Sequence, residues 1–120
     1  MQITISKKFT FESAHSLPLH DGKCKNLHGH SYGLEVFVSG PVISEGPKSG
    51  MVMDYADLSK MVKEKVIDVF DHQYLNDLVA FPTTAENLAQ EIFKILENAG
   101  LPVVKIILNE TASSSVEVTK

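Results

Sequence analysis

The chain of 120 residues contains no arginine, no tryptophan and a single cysteine. Without arginine, all 11 basic side chains are lysines, so no guanidinium fork can grip a phosphate or carboxylate at two points. A phosphorylated ligand must then be held by lysine point charges, backbone N–H groups or a metal. The lone Cys24 excludes an internal disulfide framework and every multi-cysteine zinc module. It is left as a buried small hydrophobe, a lone ligand or a reactive thiol. No apolar run approaches the length of a membrane span and no charged-then-apolar leader opens the sequence, so the expectation is a cytoplasmic protein without a membrane partner. A formal net charge of −4, with no basic face, argues against nucleic acid as a partner. No repeat, low-complexity tract or linker interrupts the chain. Hydrophobic content of 43% and charged content of 22% suit one soluble domain over residues 1–120, long enough for a modest core.

What is present is strongly patterned. The segment 2-QITISKKFTFESAH-15 places Ile3, Ile5, Phe9 and Phe11 at period two, a half-buried strand, with His15 on the same parity. A loop of proline, glycine and polar residues follows, 16-SLPLHDGKCKN-26. A second strand, 28-HGHSYGLEVFVSG-40, sets His28, His30, Tyr32, Leu34, Val36 and Val38 on one side. After the turn-rich 41-PVISEGPKSG-50, the short apolar 51-MVM-53 is expected to return beside that strand. Asp54 is a good N-cap for a helix carrying Leu58, Met61, Val62, Val66, Val69 and Phe70. A second helix opens at Thr83 with Glu86 as its capping-box partner, carries Leu88, Ile92, Ile95, Leu96 and Ala99, and stops at Gly100 and Pro102. Strands are predicted at 103-VVKIILNE-110 and 115-SVEVT-119. The order β-β-α-α-β-β implies an α+β fold, a four-stranded antiparallel sheet with two helices on one face. Its open edges lack dense charge, and pairing with other subunits is one way to cover them.

The chemistry concentrates in 24-CKNLHGH-30. His28 and His30, two apart on a strand, leave the same face about 7 Å apart along the chain. His15 supplies a third nitrogen if the two strands pair antiparallel. Three histidines describe a catalytic zinc site with an open position, and a closed structural shell would need Cys24 as fourth ligand. Spacing leaves both open, alongside ordinary packing histidines, and a thiol near a divalent cation can also become a base or nucleophile. In 71-DHQYLN-76, Asp71 can fix the tautomer of His72 for acid–base work, although a histidine at a helix C-terminus also has a dipole explanation. Glu110 ends an apolar strand on the parity of Ile106 and Leu108, either capping a pocket and holding a ligand's N–H donors or simply solvated at a frayed end.

The set 11-FESAH-15, C-x₃-HGH, 50-GMVMDYADL-58, DHQYLN, 84-TAENLA-89 and 110-ET-111 resembles the 6-pyruvoyl-tetrahydropterin synthase family along nearly the whole chain. The short C-x₃-HGH spacing is similar to the branch that makes 6-carboxy-5,6,7,8-tetrahydropterin for queuosine (7-deazaguanine) biosynthesis. The resemblance implies a zinc-dependent lyase acting on 7,8-dihydroneopterin triphosphate, with His15, His28 and His30 as Zn²⁺ ligands. Cys24 corresponds to the catalytic cysteine, Asp71 and His72 to its acid–base partners, Glu110 to the pterin anchor, and Thr84 to a segment lining the pocket. It also implies the tunnelling T-fold, in which sheets of several subunits join into a barrel, trimers stack into homohexamers, and active sites lie between subunits. Thr83 stands where many relatives have proline, a departure that bears on loop shape. Lys23 and Lys25 flank the cysteine and by charge alone suit the triphosphate. Sister activities, giving a pyruvoyl product or cleaving dihydroneopterin, use the same site, and a non-catalytic zinc- or pterin-binding oligomer is the alternative of another class.

Overall fold

The computed structural model describes all 120 residues. Two long strands, β1 (Ile3–His15) and β2 (His28–Gly40), pair antiparallel in continuous register from Ile3↔Gly40 to His15↔His28. β2 also pairs antiparallel with β4 (Val103–Thr111), which pairs antiparallel with β5 (Ser114–Thr119). The period-two pattern sets Phe11, Leu34, Val36, Val38, Ile106 and Leu108 on one face, where they form the core with the helices. The opposite face is polar, with Thr4, Lys8, Glu12 and Ser31 exposed on it.

Two strand expectations are corrected. The sheet has five strands in the order β3-β1-β2-β4-β5 and is mixed, because β3 (Gln73–Tyr74) runs parallel to β1 at Ser13↔Gln73 and Ala14↔Tyr74. Two residues are too few to show a period. Met51–Met53 forms no strand, because both edges of β2 are already taken by β1 and β4. Instead the Ile43 N–H donates to the Met51 carbonyl and closes the loop, while Met53 packs on the core.

Asp54 caps α1 (Tyr55–Val62), accepting from the Ala56 N–H at 2.8 Å. The helical path continues through a π turn at Lys63–Ile67 into α2 (Asp68–Phe70). Its buried stripe is Leu58, Val62, Val66 and Phe70, every fourth residue. Such a repeat drifts about 40° per step around a 3.6-residue helix, and a wider π turn takes up part of that drift. Val69, expected on the stripe, faces solvent at 43% exposure, and Met61 packs at its margin. After α3 (Leu75–Leu78) comes α4 (Ala85–Asn98), which buries Leu88, Ala89, Ile92, Phe93 and Leu96. Its N-cap is Thr84, which accepts from the Asn87 N–H at 3.2 Å, and not Thr83. Gly100, at φ 91°, ends the helix in the left-handed conformation that lets the Leu101 N–H reach the Leu96 carbonyl. No helix is long and apolar enough to cross a membrane.

Candidate active site

The core-facing parity of the first two strands runs on past the apolar residues. Phe11, Ser13 and His15 share a face with Tyr32, His30 and His28, so the sheet that carries the core ends in a patch of imidazoles. The ring centroids are 4.5, 5.0 and 4.9 Å apart. One nitrogen from each of His15, His28 and His30 lies within 4.8 Å of the others, so the three histidines are positioned to bind one metal ion. Cys24 is not part of this group.

Hydrogen bonds settle which nitrogens are free. His15 Nδ1 donates to the Thr83 carbonyl at 2.8 Å, and His28 Nδ1 donates to the Asn26 carbonyl at 2.7 Å. A carbonyl only accepts, so both rings carry their proton on Nδ1 and turn an Nε2 lone pair free when neutral. Burial pushes the His15 pKa down, aided by His28 and His30 and opposed by the Thr83 bond and Glu110. The ring is thereby kept neutral, as a metal ligand must be. Four buried side-chain polar atoms in the molecule lack a partner, and three of them, His15 Nε2, His30 Nε2 and Tyr32 Oη, belong to this cluster. An orphaned buried polar group costs about 1–3 kcal/mol, so their gathering in one place fits a site for a bound ion or ligand. Three converging imidazoles, two of them oriented by backbone carbonyls behind the ring, suit a borderline divalent ion such as zinc.

The other sequence-predicted residues fall around this patch. Cys24 lies half-buried on a 3₁₀ turn, Lys23–Lys25, whose position is fixed by the Leu17 N–H donating to the Cys24 carbonyl at 2.8 Å. Glu110 is the extra residue of a bulge between Asn109 and Thr111, which turns it out of the β4–β5 ladder. Its carboxylate reaches within 3.9 Å of His30 Nε2 and also lines a small pocket with Glu86 and Ser115. Asp71 and His72 follow α2. Asp71 Oδ1 accepts from the Glu12 N–H at 2.8 Å, and Oδ2 lies 2.9 Å from His72 Nδ1. The Glu12 N–H, and then His72, hold the Asp71 carboxyl below its ordinary range. His72 is left-handed, at φ 57°, a conformation secured by its N–H donating to the Glu12 carbonyl. With Nδ1 against Asp71, the largely exposed His72 ring has Nε2 as its other nitrogen. Thr84 is occupied as helix cap and borders an apolar pocket beside Leu17 and Phe81.

Sequence reasoning missed Thr83, Tyr32 and Glu12. Thr83 is 1% exposed, and its hydroxyl donates to the Ser16 carbonyl while its own carbonyl orients His15 across 68 residues of chain. The departure from proline at this position was its one visible trace. Tyr32 is stacked on Phe11 at 5.0 Å, and burial, with Glu110, raises its phenol above the usual range.

The profile of the family described as 6-pyruvoyl tetrahydropterin synthase matches residues 4–120. The chain belongs to this family. It is 39% identical to the 6-carboxy-5,6,7,8-tetrahydropterin synthase of Haemophilus influenzae, an alignment covering 94% of this chain and 96% of that protein. To the Synechocystis protein of the same name it is 44% identical over 82% of this chain and 78% of the relative. Among solved structures, the 6-pyruvoyl tetrahydropterin synthase of Caenorhabditis elegans superposes with a TM-score of 0.86 at 31% identity, covering 100% of this chain and 96% of that one. The overall fold of the chain is therefore that of a solved member of the family.

Proposed function

We propose that the protein is a zinc-dependent lyase that converts 7,8-dihydroneopterin triphosphate and water to 6-carboxy-5,6,7,8-tetrahydropterin, acetaldehyde and triphosphate, in the cytoplasmic queuosine pathway. The observation that carries it is the His15–His28–His30 cluster with its unpartnered nitrogens, in a chain whose relatives include several of that name. Zinc bound there would supply Lewis acidity to the side-chain oxygens of the substrate and ease loss of their protons. The chain's own residues do the rest. Glu110 accepts from the N–H donors of the pterin ring and fixes its orientation. Cys24, as thiolate, takes a proton from a side-chain carbon. His72, its tautomer set by Asp71, passes protons through Nε2. The reaction is internally balanced: the dihydropterin ring is reduced to the tetrahydro level as the retained side-chain carbon is oxidised to carboxylate, so no redox cofactor enters.

The T-fold reading places these groups on more than one subunit of a trimer or stacked hexamer, the barrel closing when sheet edges of neighbouring copies pair. The test is one incubation of zinc-loaded protein with dihydroneopterin triphosphate, resolved by mass. A carboxytetrahydropterin product is expected. A pyruvoyl product moves the protein to the sister activity with the same residues, and absence of turnover supports a non-catalytic pterin-binding oligomer.

A further inference from the structure

On the helix-free face of the sheet, a cleft of about 460 Å³ opens beside the end of the histidine patch. His30, Gly29, Ser31, Glu12 and His72 line it, and Cys24 does not. The floor is bare because residue 29 is glycine. Its backbone is not left-handed, and a Cβ built there would meet nothing nearer than the Ser13 carbonyl at 3.5 Å. Backbone strain therefore does not require the glycine, and any larger side chain at 29 would occupy the cleft.

Glu12 is held in this cleft from three sides. Its N–H donates to Asp71 and its carbonyl accepts from His72, so its backbone is tied to the acid–base pair. Its carboxylate accepts from Ser31 Oγ at 2.6 Å, its cross-strand partner. No cation neutralises it: the nearest ordered donor is that hydroxyl. Ser31 bonds one carboxylate oxygen, Oε1, and Glu12 lines the same cleft as the exposed His72. An anchored carboxylate with a free oxygen beside a proton-transfer histidine is an acceptor for a neutral donor, and a phosphate would be repelled from it.

We infer that Glu12 is a substrate-contact residue that accepts a hydrogen bond from a hydroxyl of the pterin's polyol side chain, with Ser31 as its positioning residue. The inference rests on the proposed pterin substrate and deepens it. Because Glu12 and Ser31 lie on the face of the sheet opposite His15, His28 and His30, the side chain that Glu12 contacts is one held at the histidine cluster of a neighbouring copy, and Glu12 then selects which hydroxyl-bearing carbon is presented to His72.

The test compares binding of two fluorescent pterins to zinc-loaded full-length protein: neopterin, which carries the hydroxylated side chain, and 6-methylpterin, which carries none. Glu12→Gln should weaken neopterin about tenfold, the range of a hydrogen bond to a charged acceptor, and leave 6-methylpterin within about twofold. Ser31→Ala should weaken neopterin by a smaller factor, and Ser31→Thr should restore it. Zinc content and native mass, measured on each variant, separate misfolding from a lost contact. Equal weakening of both pterins, or of neither, overturns the role of Glu12. If wild type shows the Glu12-dependent preference yet turns over no dihydroneopterin triphosphate, the proposed reaction fails and this inference stands. If wild type binds neither pterin, both fall.

Discussion

Cys24 and the histidines make opposite predictions for metal content. Cys24 stands outside the group of nitrogens that converge within 4.8 Å, so Cys24→Ala should retain full zinc while turnover falls roughly 10²–10⁴-fold, the usual worth of a positioned base. His28→Ala should lose both. Metal analysis beside steady-state turnover decides it, and zinc loss in Cys24→Ala would make the thiol a ligand and end its role as base. Asp71 gives a prediction in pH. Its folded pKa lies below the ordinary 3.8, through the Glu12 N–H first and His72 second. A depressed carboxyl pKa means the unfolded chain binds more protons, so the stabilisation is fully present above pH 3.8 and is lost as pH falls through the folded value. Thermal melts from pH 6 to pH 2 should therefore show a shallower acid limb in Asp71→Asn than in wild type. Equal limbs would mean that the Glu12 and His72 contacts do not persist in solution.

Among the elements, legibility followed length. β1, β2, β4 and β5 were readable because each repeats its period over six residues or more, and the same parity carried His15, His28 and His30 onto one face. β3 was unreadable, being two residues whose conformation is imposed by pairing with Ser13 and Ala14. The apolar Met51–Met53 misled for the complementary reason: hydrophobicity shows that a segment wants burial, and only the topology shows that β2 has no edge left to offer. The α4 terminus shows how a one-residue shift hides function. A capping box drawn from Thr83 leaves that residue a cap, whereas the chain caps with Thr84 and spends Thr83 on His15. Thr84→Ala should thus cost about 1 kcal/mol of stability with zinc retained, Thr84→Ser should recover most of it, and Glu86→Ala should change stability little, since no capping box is made. Denaturant unfolding of the three variants checks the assignment, and a loss in Glu86→Ala as large as in Thr84→Ala would restore the box.

At the scale of the whole molecule, the chain is more extended than a compact domain of its length. Its radius of gyration is 15.7 Å with extents of 55 × 25 × 24 Å, against roughly 14 Å for a compact chain of this length. β5 ends the sheet with nothing beyond it, and β1 is paired on its outer side only at Ser13 and Ala14, so two strand edges have unpaired backbone groups. The cleft that holds His72 is not lined by Cys24 of the same chain. If neighbouring copies complete each site, a chain with Cys24→Ala and a chain with His72→Ala damage different halves of it. Each homogeneous variant should be nearly inactive. After subunit exchange in an equal mixture, a site drawing its cysteine and its histidine from different chains receives both intact in about one case in four, so about a quarter of wild-type turnover should return. A site built within one chain cannot be repaired this way, because every chain in the mixture lacks one of the two groups. Recovery near a quarter, with native mass showing mixed oligomers, therefore assigns Cys24 and His72 to different subunits, and mixed oligomers that stay inactive assign them to one.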